Sequence, residues 1–118
     1  MWKVIYSSKY SDWFAGLAGD EQAIIRAKIF LLEEYGPNLG RPHADTLKGS
    51  ILSNLKELRA RTNEHLFRIA YIFDEKRKCV LLTGGDKKGK NEKIFYKNLI
   101  HNAERIYSEY LKKNTEEI

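Results

Sequence analysis

Residues 54–84 read NLKELRARTNEHLFRIAYIFDEKRKCVLLTG, and the architecture turns on them. Three β-prone runs stand in series: NLKELRA (54–60), EHLFRIAYIFD (64–74) and KCVLLTG (78–84). Only Thr62-Asn63 and Asp74–Arg77 separate them. Gaps this short cannot hold a crossover, so the runs are expected to pair antiparallel, as a meander.

The flanks supply the helices. Upstream, WKVIY (2–6) is short and apolar and predicts a strand. In SSKYSDWFAGLAG, Tyr10, Trp13, Phe14 and Leu17 recur at helical spacing. Asp20 is the expected N-cap of the next helix, in which Ile24, Ala27, Leu31 and Tyr35 share a face and Gly36-Pro37 makes the stop. Segment 36–50 holds three of the eight glycines and both prolines, and predicts a loop. Residues 91–112 predict a final helix lined by Phe95, Leu99, Ala103, Ile106 and Tyr110. The tail, 113–118, is expected to fray. The order is β-α-α-β-β-β-α, an α+β fold. A small antiparallel sheet is expected, with helices packed on one face and an open, basic second face.

At 118 residues, one domain spanning 1–118 is the expectation. Hydrophobic residues make up 42% and aromatics 12%, which argues against disorder. No apolar run approaches the ~20 residues that cross a bilayer, so no membrane partner is expected and the cytoplasm is the expected location. The single cysteine, Cys79, lies in an apolar run and reads as a small core residue. His43, His65 and His101 lack metal-ligand spacing, so no metal and no cofactor are expected.

The charge is uneven. Net charge is +5, but residues 41–93 carry 13 lysines and arginines against 7 acids, while the rest of the chain carries 8 against 9. A basic excess confined to one stretch is the footprint of a polyanion binder. Within it, Glu57, Arg59 and Arg61 share a face by period two. Arg68 interrupts the apolar run LFRIAYIF and must reach either an ion pair, with Glu57 or Glu64 across the hairpin, or a phosphate on an open sheet face. Nearby Arg59 and Arg61 favour the second. The following stretch, GGDKKGKN (84–91), is one residue from the nucleotide-loop pattern G-x-x-x-x-G-K-[ST]. Asn91 stands where a hydroxyl should hold magnesium, and the strand before it ends a meander rather than a βαβ unit. A polyanion-binding loop is the better reading, its glycines admitting a phosphate and its lysines supplying charge. His43, in GRPHADT, is a turn residue or an acid–base group.

Taken together, LKELR (55–59), RIAYIFD (68–74) and VLL (80–82) leading to Lys87-Lys88 resemble toxins of the RelE/ParE superfamily. The nearest branch is that of the HigB-like, phage Gp49-related toxins of type II toxin–antitoxin systems. Departures fall at Thr83 and Gly85, where many relatives have a histidine and an aromatic, and at GKNEKI (89–94). The resemblance implies a metal-independent endoribonuclease, an mRNA interferase, that cuts mRNA on the ribosome. There the 2′-hydroxyl attacks the adjacent phosphate and leaves a 2′,3′-cyclic phosphate. Carried over, Arg68, Arg59, Lys87 and Lys88 are the catalytic candidates. Arg61, Lys90, Lys93, Tyr96 and His43 are the RNA-binding ones. The implied partners are a helix-turn-helix, HigA-like antitoxin, mRNA and the ribosome, with operator DNA reached only through the antitoxin. The same fold also occurs in ParE-like inhibitors of DNA gyrase, which are not enzymes, and would serve a non-catalytic RNA-binding module.

Overall fold

The structure is a computed structural model and describes residues 1–116. Five strands, β1 (Val4–Tyr6), β2 (Ala44–Thr46), β3 (Lys56–Arg61), β4 (Leu66–Phe73) and β5 (Cys79–Asp86), form one sheet in the order β1-β5-β4-β3-β2. Three helices accompany it: α1 (Ser8–Ala15), α2 (Gly19–Tyr35) and α3 (Glu92–Glu116). The meander β3-β4-β5 is antiparallel throughout, as its short turns require. The sheet as a whole is mixed, however, because β1 runs parallel to β5. The α1–α2 pair and strands β2, β3 and β4 lie between those two strands in the chain, which is connection enough for a parallel pairing.

The expectation of helices on one face is corrected by β4. Phe67, Ile69 and Tyr71 of this strand pack with Tyr10 of α1 and with Ile25, Ile29 and Leu32 of α2. Ala70 and Ile72 point the other way and pack with Phe95, Leu99, Ala103 and Ile106 of α3. A strand that is apolar at nearly every position needs cover on both sides, and α3 supplies the second. What stays open on the α3 side is the β3 border, where Arg59 is half-buried and Arg61 exposed. Much of the second sheet face is therefore covered by α3 and not open.

Smaller corrections follow the same logic. Segment 36–50 is not wholly loop: a 3-10 turn at Gly36–Asn38 precedes β2, which pairs antiparallel with β3. The residue capping α2 is Ala18, not Asp20, and its N–H donates to Glu21 Oε1 at 2.9 Å. Helix α3 continues to Glu116, past the expected end at 112, while residues 117–118 of the expected frayed tail lie outside the described residues. Among the described residues no helix is long and apolar enough to cross a membrane. Cys79 is buried, and burial pushes its thiol far above the ordinary range, which suits a core residue.

A register shift between Ala70 and Tyr71 shapes the site. Tyr71 pairs with Leu81 and Ala70 with Thr83, so Leu82 is the extra residue of a bulge. Beyond it the alternation is reset, and Gly85 stands opposite Arg68 on the α3 face. Gly84 and Gly85 thus belong to β5, not to a phosphate-cradling loop. Their smallness serves packing: a Cβ on Gly84 would lie 2.5 Å from the Trp13 ring, and one on Gly85 would lie 3.2 Å from Phe95.

Candidate active site

Strands β3 and β4 bring Arg59 and Arg68 into direct register. Two guanidinium groups side by side repel unless an anion lies between them. Glu57, two residues before Arg59 and on the same face, is that anion, and only 3% of its surface is exposed. Arg59 donates to Glu57 Oε2 through Nε at 3.2 Å and Nη2 at 3.0 Å. Arg68 Nε lies 3.6 Å from Glu57 Oε1. Of the alternatives for Arg68, the ion pair with Glu57 is present, and the side chain is buried beside half-buried Arg59.

Tyr96, on the second turn of α3, completes the group. Its hydroxyl donates to Glu57 Oε1 at 2.7 Å and accepts from Arg68 Nε at 3.3 Å. Burial, followed by the hydrogen bond to the Glu57 carboxylate, pushes the phenol up to about 12. The hydroxyl is thus protonated near neutrality and holds a proton between a carboxylate and the open side. Arg68 also donates to its neighbour's carbonyl, Phe67 O, at 3.0 Å, which keeps its side chain close to the strand.

Two further carboxylates compensate the cations. Arg59 donates to Asp45 Oδ2 at 3.3 Å across the β2–β3 pair. Asp45 is held below the ordinary carboxylate range chiefly by the Arg41 guanidinium, which donates to it twice. Lys87 Nζ donates to Glu92 Oε1 at 2.8 Å and lies 5.6 Å from the centroid of the Tyr96 ring. That hydrogen bond, and the charge of Lys87, hold the Glu92 carboxyl below its ordinary range.

Arg59, Arg68, Lys87 and Tyr96 are thus brought together. Lys88 is drawn elsewhere: its Nζ donates to Asn63 O, in the β3–β4 turn, at 2.7 Å. Arg61 is exposed at the end of β3, and among the described residues it makes no ion pair. Lys90 closes the loop by donating its N–H to Lys87 O at 3.2 Å, and borders a small pocket with Asn91 and Asn98. Lys93 lies on the first turn of α3, on a groove shared with Lys48 and Lys97. His43 is not at this centre. Its Nδ1 lies 2.9 Å from Lys28 Nζ of α2, while its carbonyl accepts from Arg59 N–H at 2.8 Å. Asn91 does the work of a helix cap, its Oδ1 accepting from Ile94 N–H at 3.0 Å.

Sequence reasoning named Glu57 only as an ion-pair partner and passed over Asp45 and Glu92. The period-two spacing of Glu57 and Arg59 was the available signal for the first. The other two have local partners, Arg41 four residues before Asp45 and Lys87 five before Glu92, but the reach of Asp45 to Arg59 is set by sheet pairing.

A five-stranded sheet with two helices on one side and one on the other is the plan of a RelE-like α+β protein. The chain belongs to the phage-derived Gp49-like family, whose pattern matches residues 12–108. It is 40% identical over 108 residues to the candidate toxin HigB3 of Mycobacterium tuberculosis, an alignment covering 92% of each chain. It is 36% identical over 104 residues to the candidate toxin HigB2 of the same organism. That alignment covers 87% of this chain and 51% of HigB2, so the chain spans about half of that relative's length. The fold is similar to that of a substituted E. coli toxin RelE in the free state, with a TM-score of 0.60 at 10% identity over 84% of this chain and 93% of that one. It is similar also to the archaeal RelE–RelB complex of Pyrococcus horikoshii, with a TM-score of 0.56 at 19% identity over 75% and 98%.

Proposed function

We propose that this protein is the toxin of a toxin–antitoxin pair and acts as a metal-independent endoribonuclease on mRNA, on the ribosome. The observation that carries the reading is the convergence of Arg59, Arg68 and Tyr96 on the buried Glu57 carboxylate. The toxin names of the family relatives support the class, and a solved RelE–RelB complex supports a protein partner. The partner expected here is a HigA-like helix-turn-helix antitoxin.

RNA cleavage by the 2′-hydroxyl needs an acceptor for its proton, positive charge over the pentacoordinate phosphorane, and a proton for the leaving oxygen. The Tyr96 hydroxyl takes the 2′ proton as it passes its own to Glu57. The 2′ oxygen bonds to phosphorus, and Arg59 and Arg68 face the developing negative charge. Lys87 gives a proton to the 5′ oxygen as the P–O bond breaks. The products are a 2′,3′-cyclic phosphate and a 5′-hydroxyl, and solvent exchange restores Glu57 and Lys87. For this, Lys87 must leave Glu92, which is 67% exposed and free to swing into water.

The test is to add the purified protein to ribosomes translating a defined mRNA and to map new ends by primer extension. Wild type should generate new ends and Arg68→Ala should not. Intact mRNA together with relaxed plasmid DNA in arrested cells would replace this reading with gyrase inhibition.

A further inference from the structure

The cations of the centre are already compensated: Glu57 and Asp45 meet Arg59, Glu57 meets Arg68, and Glu92 meets Lys87. Unspent positive charge lies one step away. Between residues 48–51 and the outer side of α3 runs a groove of about 780 Å³. Lys93, Lys97 and His101 line it at i, i+4 and i+8 of the helix, with Lys48 among the groove's other residues. Among the described residues none of these four makes an ion pair. Like charges at i,i+4 destabilise a helix, so Lys93 and Lys97 carry a small cost that an anion bound between them would relieve.

The groove is also built. Glu104, the acid within it, is occupied: its Oε2 accepts from Ser50 Oγ and from Ile51 N–H, each at 2.8 Å. That carboxylate braces the loop and holds Ile51 outward with 86% of its surface exposed. Tyr96 belongs to both places, bordering the groove while its hydroxyl reaches Glu57. The groove therefore leads into the candidate centre.

We infer that this groove carries the single-stranded RNA next to the cleaved linkage, with Lys48, Lys93 and Lys97 holding backbone phosphates, His101 offering a further hydrogen bond, and exposed Ile51 lying against a base. The proposal rests on the ribonuclease reading and extends it by naming where the flanking strand runs. Affinity for the flanking strand then resides in the groove, while the cleaved linkage is held at Arg59 and Arg68, which also meet the transition-state charge.

The experiment uses fluorescently labelled 2′-O-methyl RNA, which lacks the attacking hydroxyl and is not cut. An oligonucleotide of about ten residues and one of about three are titrated at several salt concentrations. The comparison is wild type, Lys48→Gln/Lys97→Gln and Arg68→Ala. Both lysines are exposed, and an unchanged melting curve checks the fold. The double variant should bind the longer RNA roughly ten-fold more weakly, with a log–log salt slope lower by about 1.4, near 0.7 for each lost contact. Its binding of the shorter RNA should be unchanged. Equal affinity and slope for the longer RNA in wild type and double variant would overturn the groove while leaving the centre standing, provided that Arg68→Ala still weakens the shorter RNA. Failure of wild type to bind either RNA would overturn the groove, while the ends mapped on translating ribosomes decide the ribonuclease reading separately.

Discussion

The Tyr96 hydroxyl donates to Glu57 Oε1 at 2.7 Å, joining the outer helix to a buried carboxylate of the sheet. A hydrogen bond to a charged acceptor contributes about 1.5–3 kcal/mol. Tyr96→Phe should therefore lower unfolding free energy by that amount in urea titration. It should also slow RNA cleavage about 100-fold, the scale of one lost proton relay. Cleavage at the wild-type rate would remove Tyr96 from the chemistry and leave it a structural tie.

Lys87 cannot serve a leaving oxygen while it holds Glu92. Glu92→Gln keeps the side-chain shape and removes the charge, so affinity for uncut RNA should rise roughly two- to five-fold. The pH dependence has a definite sign. Lys87 depresses the Glu92 carboxyl below its ordinary 4.5, so the pair's contribution is complete above that value and is lost as pH falls through the lower, folded value. Near neutral pH the wild-type competition is therefore at full strength, and that is where the variant's advantage should be largest. Weaker RNA binding by the variant would contradict this account of Glu92.

His65 ties the base of the lysine loop to α2. Its Nδ1 lies 2.5 Å from Asp86 Oδ2 and its Nε2 lies 2.8 Å from Glu21 Oε2. The Asp86 hydrogen bond, then the charges of Asp86, Glu21 and Glu64, raise the imidazole above 6.5 in spite of some desolvation. A raised folded value means that the stabilisation is complete below 6.5 and is lost as pH rises through the folded value. The melting temperature of wild type should fall between about pH 6 and pH 9, and that of His65→Gln should change less over the same window. Parallel profiles would rule out His65 as the titrating group.

Gly84 is required by a neighbour, not by a phosphate. Since an added Cβ would meet the Trp13 ring at 2.5 Å, Gly84→Ala should destabilise by about 1–3 kcal/mol. The urea midpoint should drop with the slope unchanged. An unchanged midpoint would show that Trp13 can move aside without cost.

The meander was legible because turns as short as Thr62-Asn63 leave one pairing, and α3 because its apolar stripe is long. The covered second face could have been read from LFRIAYIF, where apolar residues occupy both alternations and only Arg68 interrupts. Pairing of β1 with β5 was not legible, since a parallel partner some seventy-five positions away leaves no local mark. Three-residue β2 was hidden among glycines and prolines. At the site, Arg68 stood out as a cation in an apolar run, and Arg59 by its period-two spacing from Glu57. Lys88 and His43 did not separate from the true neighbours of Glu57, because a long side chain's direction is decided by contacts such as those with Asn63 and Lys28.

The most direct test of the central claim is the chemistry of the cut end. Mass spectrometry of RNA fragments made by the purified protein on programmed ribosomes, with magnesium-independent quenching, reads the new 3′ terminus. The account predicts a 2′,3′-cyclic phosphate with wild type, and with Arg68→Ala a loss of cleavage of at least about 100-fold, the scale of one lost transition-state donor. A 3′-hydroxyl with a 5′-phosphate, or equal cleavage by Arg68→Ala, would contradict it.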